Sequence, residues 1–209
     1  MRNASDIPAV ALAGTQRAAA RSSLYRLSAV SLAHPVPETW QSLQTGKLQE
    51  AIASAWFSVQ GRPWPVAPVS HGTAEAFEAA YIGVFLHGLG GKPAISLLAG
   101  DHEDLLSGQT RPVFMLNISE FYRHFKLTAA VDDEGRPDEP DHLITMLEFM
   151  AVLTHLESRA LAQHKDASGL RRAQRDFLCR YLIPFVDVIA SKAGRARASQ
   201  LDSTLLQLI

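Results

Sequence analysis

The spacing of apolar residues is the feature that most constrains the fold of this 209-residue chain. Apolar side chains recur at helical intervals in most segments, and no segment shows sustained alternation of apolar and polar positions with β-branched residues, as a half-buried strand would require. We therefore predict an all-α fold, with about six to eight helices in a single globular domain over 15–209. Residues 1–14, which contain Pro8 and Gly14, are predicted to form a flexible N-terminal tail.

Capping and breaking residues predict where the helices begin and end. Thr73 and Ser168 are suited to N-caps, and Pro184 is expected to kink or break the helix that contains it. The segment 88–111 is rich in glycine, proline and charge and is predicted to be a long surface loop with at most a short helix. The predicted helices cover 15–33, 37–59, 73–85, 112–125, 138–163, 168–180 and 198–208.

Composition excludes several classes of protein. Hydrophobic residues make up 47% of the chain, charged residues 20%, and the net charge is −1, which is ordinary for a globular protein and argues against nucleic acid as the main partner. No apolar run approaches the roughly 20 residues that span a bilayer, so we expect no membrane span and a cytoplasmic location. The single cysteine, Cys179, excludes an intrachain disulfide and is predicted to be a buried small hydrophobe.

An acidic segment meets the most apolar helix at Glu139-Pro140-Asp141-His142, called the box below. The ten residues 132–141 carry six acids and one base, and the run 143–153 that follows is almost entirely apolar. This pairing suits a ligand with basic residues beside an apolar stretch, as in a twin-arginine signal peptide. A purely structural alternative is that Pro140 begins the helix, while Asp138, Glu139 and Asp141 complement its positive end.

Several short elements, in the same order and at similar spacing, resemble the TorD/DmsD/NarJ family of molybdoenzyme maturation chaperones. Besides the box, they are Leu24-Tyr25-Arg26-Leu27, Phe121-Tyr122-Arg123-His124-Phe125-Lys126-Leu127 and Tyr181-Leu182-Ile183-Pro184-Phe185. The chain departs from the family pattern in lacking a residue between Pro and Asp of the box and in having Lys126 where glycine is usual. The segment 91–100 is similar to the variant in chaperones of dimethylsulfide, ethylbenzene and selenate enzymes.

The resemblance implies a non-enzymatic cytoplasmic chaperone without a cofactor or metal of its own. Such a protein binds the twin-arginine signal peptide and the apo form of the catalytic subunit of a molybdopterin-containing oxidoreductase, and it assists cofactor insertion before export. Because family members exchange helices between subunits, the long connection over 88–111 would permit a homodimer. The residues expected to bind the partner are Asp138, Glu139, Pro140, Asp141, His142, Tyr122 and Phe125.

Two other functions stay open at this point. One is a helical adaptor that binds some other peptide or helix. The other is a metal-dependent helical hydrolase, because Glu139 and His142 have the spacing of di-iron carboxylate helices and the segment 101–104 carries four ligand-type side chains. A second Glu-x-x-His motif is missing from the sequence, however, and so are His-Glu-x-x-His, Gly-x-Ser-x-Gly and the phosphate-loop pattern.

Overall fold

The computed structural model describes residues 6–65, 72–88, 91–128 and 139–198, with side chains described from 13 to 195 within those ranges. Over these residues the chain is helical and has no β-strand, so the all-α prediction is confirmed. The α-helices there are α1 (Asp6–Leu32), α2 (Pro37–Gln44), α3 (Lys47–Gln60), α4 (Ala74–Tyr81), the single turn α5 (Glu103–Leu106), α6 (Arg111–His124), α7 (Leu143–Ala162), α8 (Ser168–Phe177) and α9 (Ile183–Ala198).

Helix α7 is the centre of the fold. Its buried side chains cover more than half of the helix circumference, while the exposed Glu148 and His155 mark the remaining face. Helix α1 runs antiparallel along it. The Oγ of Ser22 donates to the carbonyl of Ala151 at 2.8 Å, and the Oγ of Ser158 donates to the carbonyl of Thr15 at 3.1 Å. The amino-terminal part of α1 therefore lies beside the carboxyl-terminal part of α7.

A cluster of aromatic rings joins α6 and α8 to α7. The ring of Phe149 lies 4.7 Å from that of Tyr122 and 4.8 Å from that of Phe177, measured between centroids. Phe121 and Tyr181 extend the cluster, at 5.4 and 5.5 Å from Phe177. Tilted and edge-on contacts of this kind add to the energy of simple burial. The cluster fixes the end of α6 next to the start of α7, which is where the box lies.

A buried carboxylate ties α1, α7 and α8 together. Glu157 is 2% exposed, and it accepts hydrogen bonds from Arg21, from the Nε of Arg171 at 2.7 Å and from the Nε2 of Gln174 at 3.0 Å. Burial by itself raises the pKa of Glu157, but the hydrogen bonds from Arg171 and Gln174 and the charge of Arg21 outweigh it and leave the pKa below its usual value. Glu157 is therefore an ionised group inside the helical core.

Two predicted helix boundaries were wrong near the amino terminus. Helix α1 begins at Asp6 rather than at residue 15, so 6–14 is helical and not a tail, while 1–5 lie outside the described residues. The helix predicted over 37–59 is two helices, α2 and α3. They are separated at Thr45 and Gly46, where Gly46 has φ of 75°, a left-handed conformation that ends a regular helix and that glycine adopts without strain.

Two π-helical turns were not predicted either. They cover Ile82–Leu86 and Leu178–Leu182, at the ends of α4 and α8. A π turn contains an extra residue, which rotates the side chains that follow. Cys179 lies in the second of these turns and is exposed, so its predicted burial was wrong. The regular α-helix ends at Phe177 and this π turn leads directly to Pro184, so the interruption falls where the proline was expected to kink or break the helix.

Other local predictions had mixed outcomes. Thr73 caps α4 as predicted, with its Oγ1 accepting from the backbone N–H of Ala76 at 3.2 Å. Ser168 is the first residue of α8 rather than its N-cap. The surface connection has only a 3₁₀ turn, Ala99–Asp101, and the short α5 in its described part. The helix predicted over 198–208 falls almost wholly outside the described residues.

No helix within the described ranges is both long enough and apolar enough to cross a membrane.

Candidate functional site

The box precedes α7 instead of beginning it. The helix starts at Leu143, so the predicted start at Asp138 was wrong and Pro140 lies outside the helix. His142 is the N-cap: its backbone is extended, and its Nδ1 accepts from the backbone N–H of Ile144 at 3.2 Å. The side chain of His142 therefore satisfies one of the unpaired donors at the start of α7. Asp138 lies outside the described residues.

The backbone of the box pairs with the connection before α5. The N–H of Ala99 donates to the carbonyl of Asp141 at 3.0 Å, and the N–H of Leu143 donates to the carbonyl of Leu97 at 2.8 Å. These bonds form an isolated antiparallel bridge centred on Leu98 and His142. The box and the segment 96–101 therefore form one unit, although some forty residues of sequence separate them.

Asp141 is the buried part of this unit. Its side chain is completely inaccessible to solvent, and its Oδ2 accepts from the N–H of Gly100 at 2.7 Å. Gly100 leaves no room for a side chain, because a Cβ there would lie 2.8 Å from the Oδ2 of Asp141 and 2.7 Å from the Cγ of Arg111. Asp141 thus holds the two segments together, and it does not present its charge to solvent.

Tyr122 supports the box from the core side. Its hydroxyl donates to the carbonyl of Pro140 at 2.6 Å. Burial, together with the nearby carboxylates of Asp141 and Glu148, raises the pKa of Tyr122 far above its usual value, so the hydroxyl stays protonated and can donate. Phe125 is half-buried, with its ring 6.0 Å from that of Phe149. Both residues pack against the core and neither lines the cleft described next.

A cleft of about 710 Å³ lies beside the box. It has the volume of a typical ligand site and a mixed lining. Of the predicted residues, Glu139 and His142 line it. The rest of the lining was not predicted from the sequence, and it comes mainly from the end of α4 and the π turn after it, from 93–101 and from the first turn of α7. These residues include Tyr81, Phe85, Leu86, Leu98, Asp101 and Ile144.

Arg111, the first residue of α6, connects the two carboxylates of the cleft. Its Nη1 donates to the Oδ1 of Asp101 at 2.9 Å, and its Nη2 donates to the Oε2 of Glu139 at 2.5 Å. All three side chains are between a third and a half exposed. The second oxygen of Asp101 accepts from the Oγ of Ser96 at 2.6 Å. Glu139, the surface acid of the described box residues, is therefore already paired in the free chain.

Two of the four ligand-type residues of 101–104, Asp101 and His102, have protein partners in this structure. The Nε2 of His102 donates to the carbonyl of Ser96 at 3.0 Å, and its Nδ1 accepts from the Nζ of Lys192 at 3.0 Å. Burial, reinforced by the charge of Lys192, holds the pKa of His102 below its usual value, against the opposing effects of the Ser96 carbonyl and the nearby acids. His102 is thus a neutral side chain that links α9 to the cleft.

Comparison with known proteins identifies the family. The family model described as nitrate reductase delta subunit matches residues 39–191. The chain belongs to this family. One family relative, the dimethyl sulfide dehydrogenase assembly chaperone protein of Rhodovulum sulfidophilum, is 48% identical over 192 residues, covering 92% of this chain and 76% of the relative.

Other relatives have similar names. The perchlorate reductase assembly chaperone protein of Dechloromonas aromatica (strain RCB) is 30% identical over 199 residues, covering 90% of this chain and 84% of the relative. The selenate reductase assembly chaperone protein of Thauera selenatis is 36% identical over 130 residues, or 62% of each chain. No solved structure matches this chain. The relatives confirm the resemblance to the TorD/DmsD/NarJ chaperones and the prediction of a maturation chaperone instead of an enzyme.

Proposed function

We propose that this chaperone serves the catalytic subunit of a molybdopterin-containing oxidoreductase similar to dimethyl sulfide dehydrogenase. In this proposal it acts in the cytoplasm, binds the twin-arginine signal peptide of the apo subunit and assists cofactor insertion before export. The relative named for dimethyl sulfide dehydrogenase supports the choice of client, since it shares 48% identity over 92% of the chain. Helix exchange between two copies through 88–111 also stays a prediction, which light scattering on purified protein would test.

The observation that carries the proposal is the mixed lining of the cleft beside the box. The carboxylates of Asp101 and Glu139 line the same cleft as apolar side chains, among them Leu86 and Ile144. A signal peptide has arginines followed by an apolar stretch, so one cleft offers contacts to both parts. Each exposed ion pair contributes only about 0.2–1 kcal/mol, so burial of the apolar stretch must supply most of the affinity.

Five of the predicted residues then divide into two groups. Glu139 and His142 line the cleft and are proposed to contact the peptide. Asp141, Pro140 and Tyr122 are proposed to position them, since Asp141 is buried against Gly100 and Tyr122 holds the carbonyl of Pro140. These three positioning residues need not contact the peptide. Replacing them would nevertheless change the shape of the cleft.

Replacing Leu86 by serine should weaken binding of a synthetic twin-arginine leader about fivefold, as expected from losing part of one buried leucine contact. Leu86 lines the cleft and is 42% exposed, so the substitution should leave the fold intact. Titration calorimetry of the wild type and the variant gives the two dissociation constants. The matched control is Phe57→Ser on α3, since Phe57 is 57% exposed and does not line this cleft.

Two results would count against the proposal in different ways. If leaders from several molybdenum enzymes fail to bind the wild type, the peptide-binding function itself is wrong. If the leader binds and Leu86→Ser has no more effect than Phe57→Ser, the function stands and the peptide binds elsewhere. A leader with both arginines changed to glutamine measures the ionic share of the affinity, which should fall as salt is added.

A further inference from the structure

The guanidinium of Arg111 occupies the place at which a ligand arginine would be expected. It contacts one carboxylate from the 3₁₀ turn, Asp101, and one from the box, Glu139, with a separate nitrogen for each. Both acids line the cleft. A planar guanidinium is suited to such a double contact because its donors have a fixed fork geometry, whereas an ammonium group acts as a point charge. The chain therefore already contains one cation of the type that the peptide would bring.

Negative charge at this point exceeds what Arg111 neutralises. Asp101 and Glu139 are two carboxylates against the single positive charge of Arg111, and Asp141 lies directly behind. A Cβ at Gly100 would be 2.8 Å from both the Nε of Arg111 and the Oδ2 of Asp141, so the two side chains approach each other there. The Oδ1 of Asp141 is buried and accepts no hydrogen bond from any described residue. This unpaired oxygen lies behind the two acids, so the surroundings favour a cation on Asp101 and Glu139.

The two ion pairs of Arg111 are exposed enough for another cation to replace Arg111 in them. The Arg111 side chain is 35% exposed, and its two partners are 35% and 47% exposed. Ion pairs at such positions are screened by solvent and contribute little each. Because Arg111 is the first residue of α6, its side chain can turn toward solvent without unwinding the helix. Displacement of Arg111 therefore requires two weak contacts to break and no change of fold.

We propose that Arg111 is a displaceable internal occupant of the peptide site, and that one arginine of the signal peptide replaces it on Asp101 and Glu139. This inference rests on the proposed function. It also gives the site a means of selection: an incoming arginine regains both of the contacts that Arg111 gives up, while an incoming lysine cannot reproduce the double contact. A cation that cannot bind both acids therefore needs other contacts to displace Arg111. As a result, Arg111 favours leaders with arginine over leaders with lysine.

Arg111→Gln should bind the twin-arginine leader about three- to tenfold more tightly than the wild type at low salt, since no internal cation has to be displaced. The preference for a twin-arginine leader over a twin-lysine copy should shrink in the variant, and binding of a twin-glutamine copy should not change. Titration calorimetry with the three leaders gives these values. The matched control is Arg123→Gln, which makes the same charge change on α6 at an exposed pair with Glu120.

Weaker or unchanged binding of the twin-arginine leader by Arg111→Gln, with binding by the wild type intact, would overturn the inference and make Arg111 a structural brace. An equal gain in Arg123→Gln would overturn it as well, because the gain would then come from net charge. Arg111→Lys covers the case in which the glutamine variant unfolds: it should bind more tightly than the wild type, although by less than expected for glutamine. If no leader binds the wild type or any variant, the proposed function fails along with the inference.

Discussion

Replacing Glu157 by alanine should lower the free energy of unfolding by about 2–4 kcal/mol, because removing one member of a buried ion pair leaves its partners without compensation. Glu157 is the common acceptor for Arg21, Arg171 and Gln174, which come from α1 and α8. The two arginines are 33% and 55% exposed and can turn toward water, which places the loss below that of a completely buried pair. Urea unfolding followed by circular dichroism measures the change.

Two controls separate this effect from ordinary surface electrostatics. Glu157→Gln keeps the volume and part of the hydrogen bonding, so it should cost less than the alanine variant. Glu120→Ala removes an acid whose pair with Arg123 is more than half exposed on both sides, so it should change the stability by no more than about 0.5 kcal/mol. A Glu157→Ala variant as stable as Glu120→Ala would show that the buried cluster does not stabilise the fold.

The carboxyl of Glu157 should also make the stability of the fold depend on pH. Since the pKa of Glu157 is lower in the folded chain than its ordinary value of 4.5, its contribution is fully present above that value and is lost as the pH falls through the folded pKa. The wild type should therefore lose more stability below pH 4.5 than Glu157→Gln, which has nothing to protonate there. Parallel stability curves for the two proteins in this acid range would contradict the assignment.

Replacing Asp141 by alanine is the second change with a large expected effect. It removes the acceptor of the Gly100 N–H and leaves space in a fully buried position, which should cost about 2–4 kcal/mol. The amide hydrogen of Gly100 should also exchange faster with solvent, since the bond that links the box to the 3₁₀ turn is lost. Urea unfolding and hydrogen exchange followed by NMR measure the two effects.

Glu139→Ala is the matched control for Asp141→Ala. It changes an acid of the same box that is 47% exposed, so it should alter stability little while removing one partner of Arg111. If the Gly100 amide stays equally protected in Asp141→Ala, then Asp141 does not hold the box against the 3₁₀ turn. The difference between the two acids also affects experimental design: a variant that removes Asp138, Glu139 and Asp141 together would combine a surface effect with a structural one.

The sequence was sufficient for the fold class, and it singled out the box as a candidate site. Apolar periodicity gave the all-α class, and the change from acidic to apolar residues located the box. The role of each acid within the box was not predictable, because burial depends on partners distant in the sequence. Gly100, the partner of Asp141, is 41 residues away, and Arg111, the partner of Glu139, is 28 residues away. No local pattern distinguishes a buried aspartate from an exposed one at this position.

The exposure of Cys179 was missed for a different reason. Its burial was predicted from its apolar neighbours on a regular helix of 3.6 residues per turn, and the π turn over Leu178–Leu182 departs from that geometry. Leu86 was missed as a lining residue because it ends the other π turn, one residue beyond the helix predicted over 73–85. The resemblance over 91–100 pointed only to a variant within the family, and it could not indicate the pairing of this segment with the box or of Asp101 with Arg111.

The antiparallel packing of α1 against α7 also determines when the chain can fold during synthesis. The side-chain bonds that join the two helices link residues 129 and 143 positions apart, so α1 has emerged from the ribosome long before its partner is made. Until then α3 can cover part of α1, but the face that packs against α7 stays uncovered, and contacts between distant residues are the slowest to form. A nascent chain halted before α7 should thus be open and sensitive to protease, and compaction should come late, after Ser158 has left the tunnel.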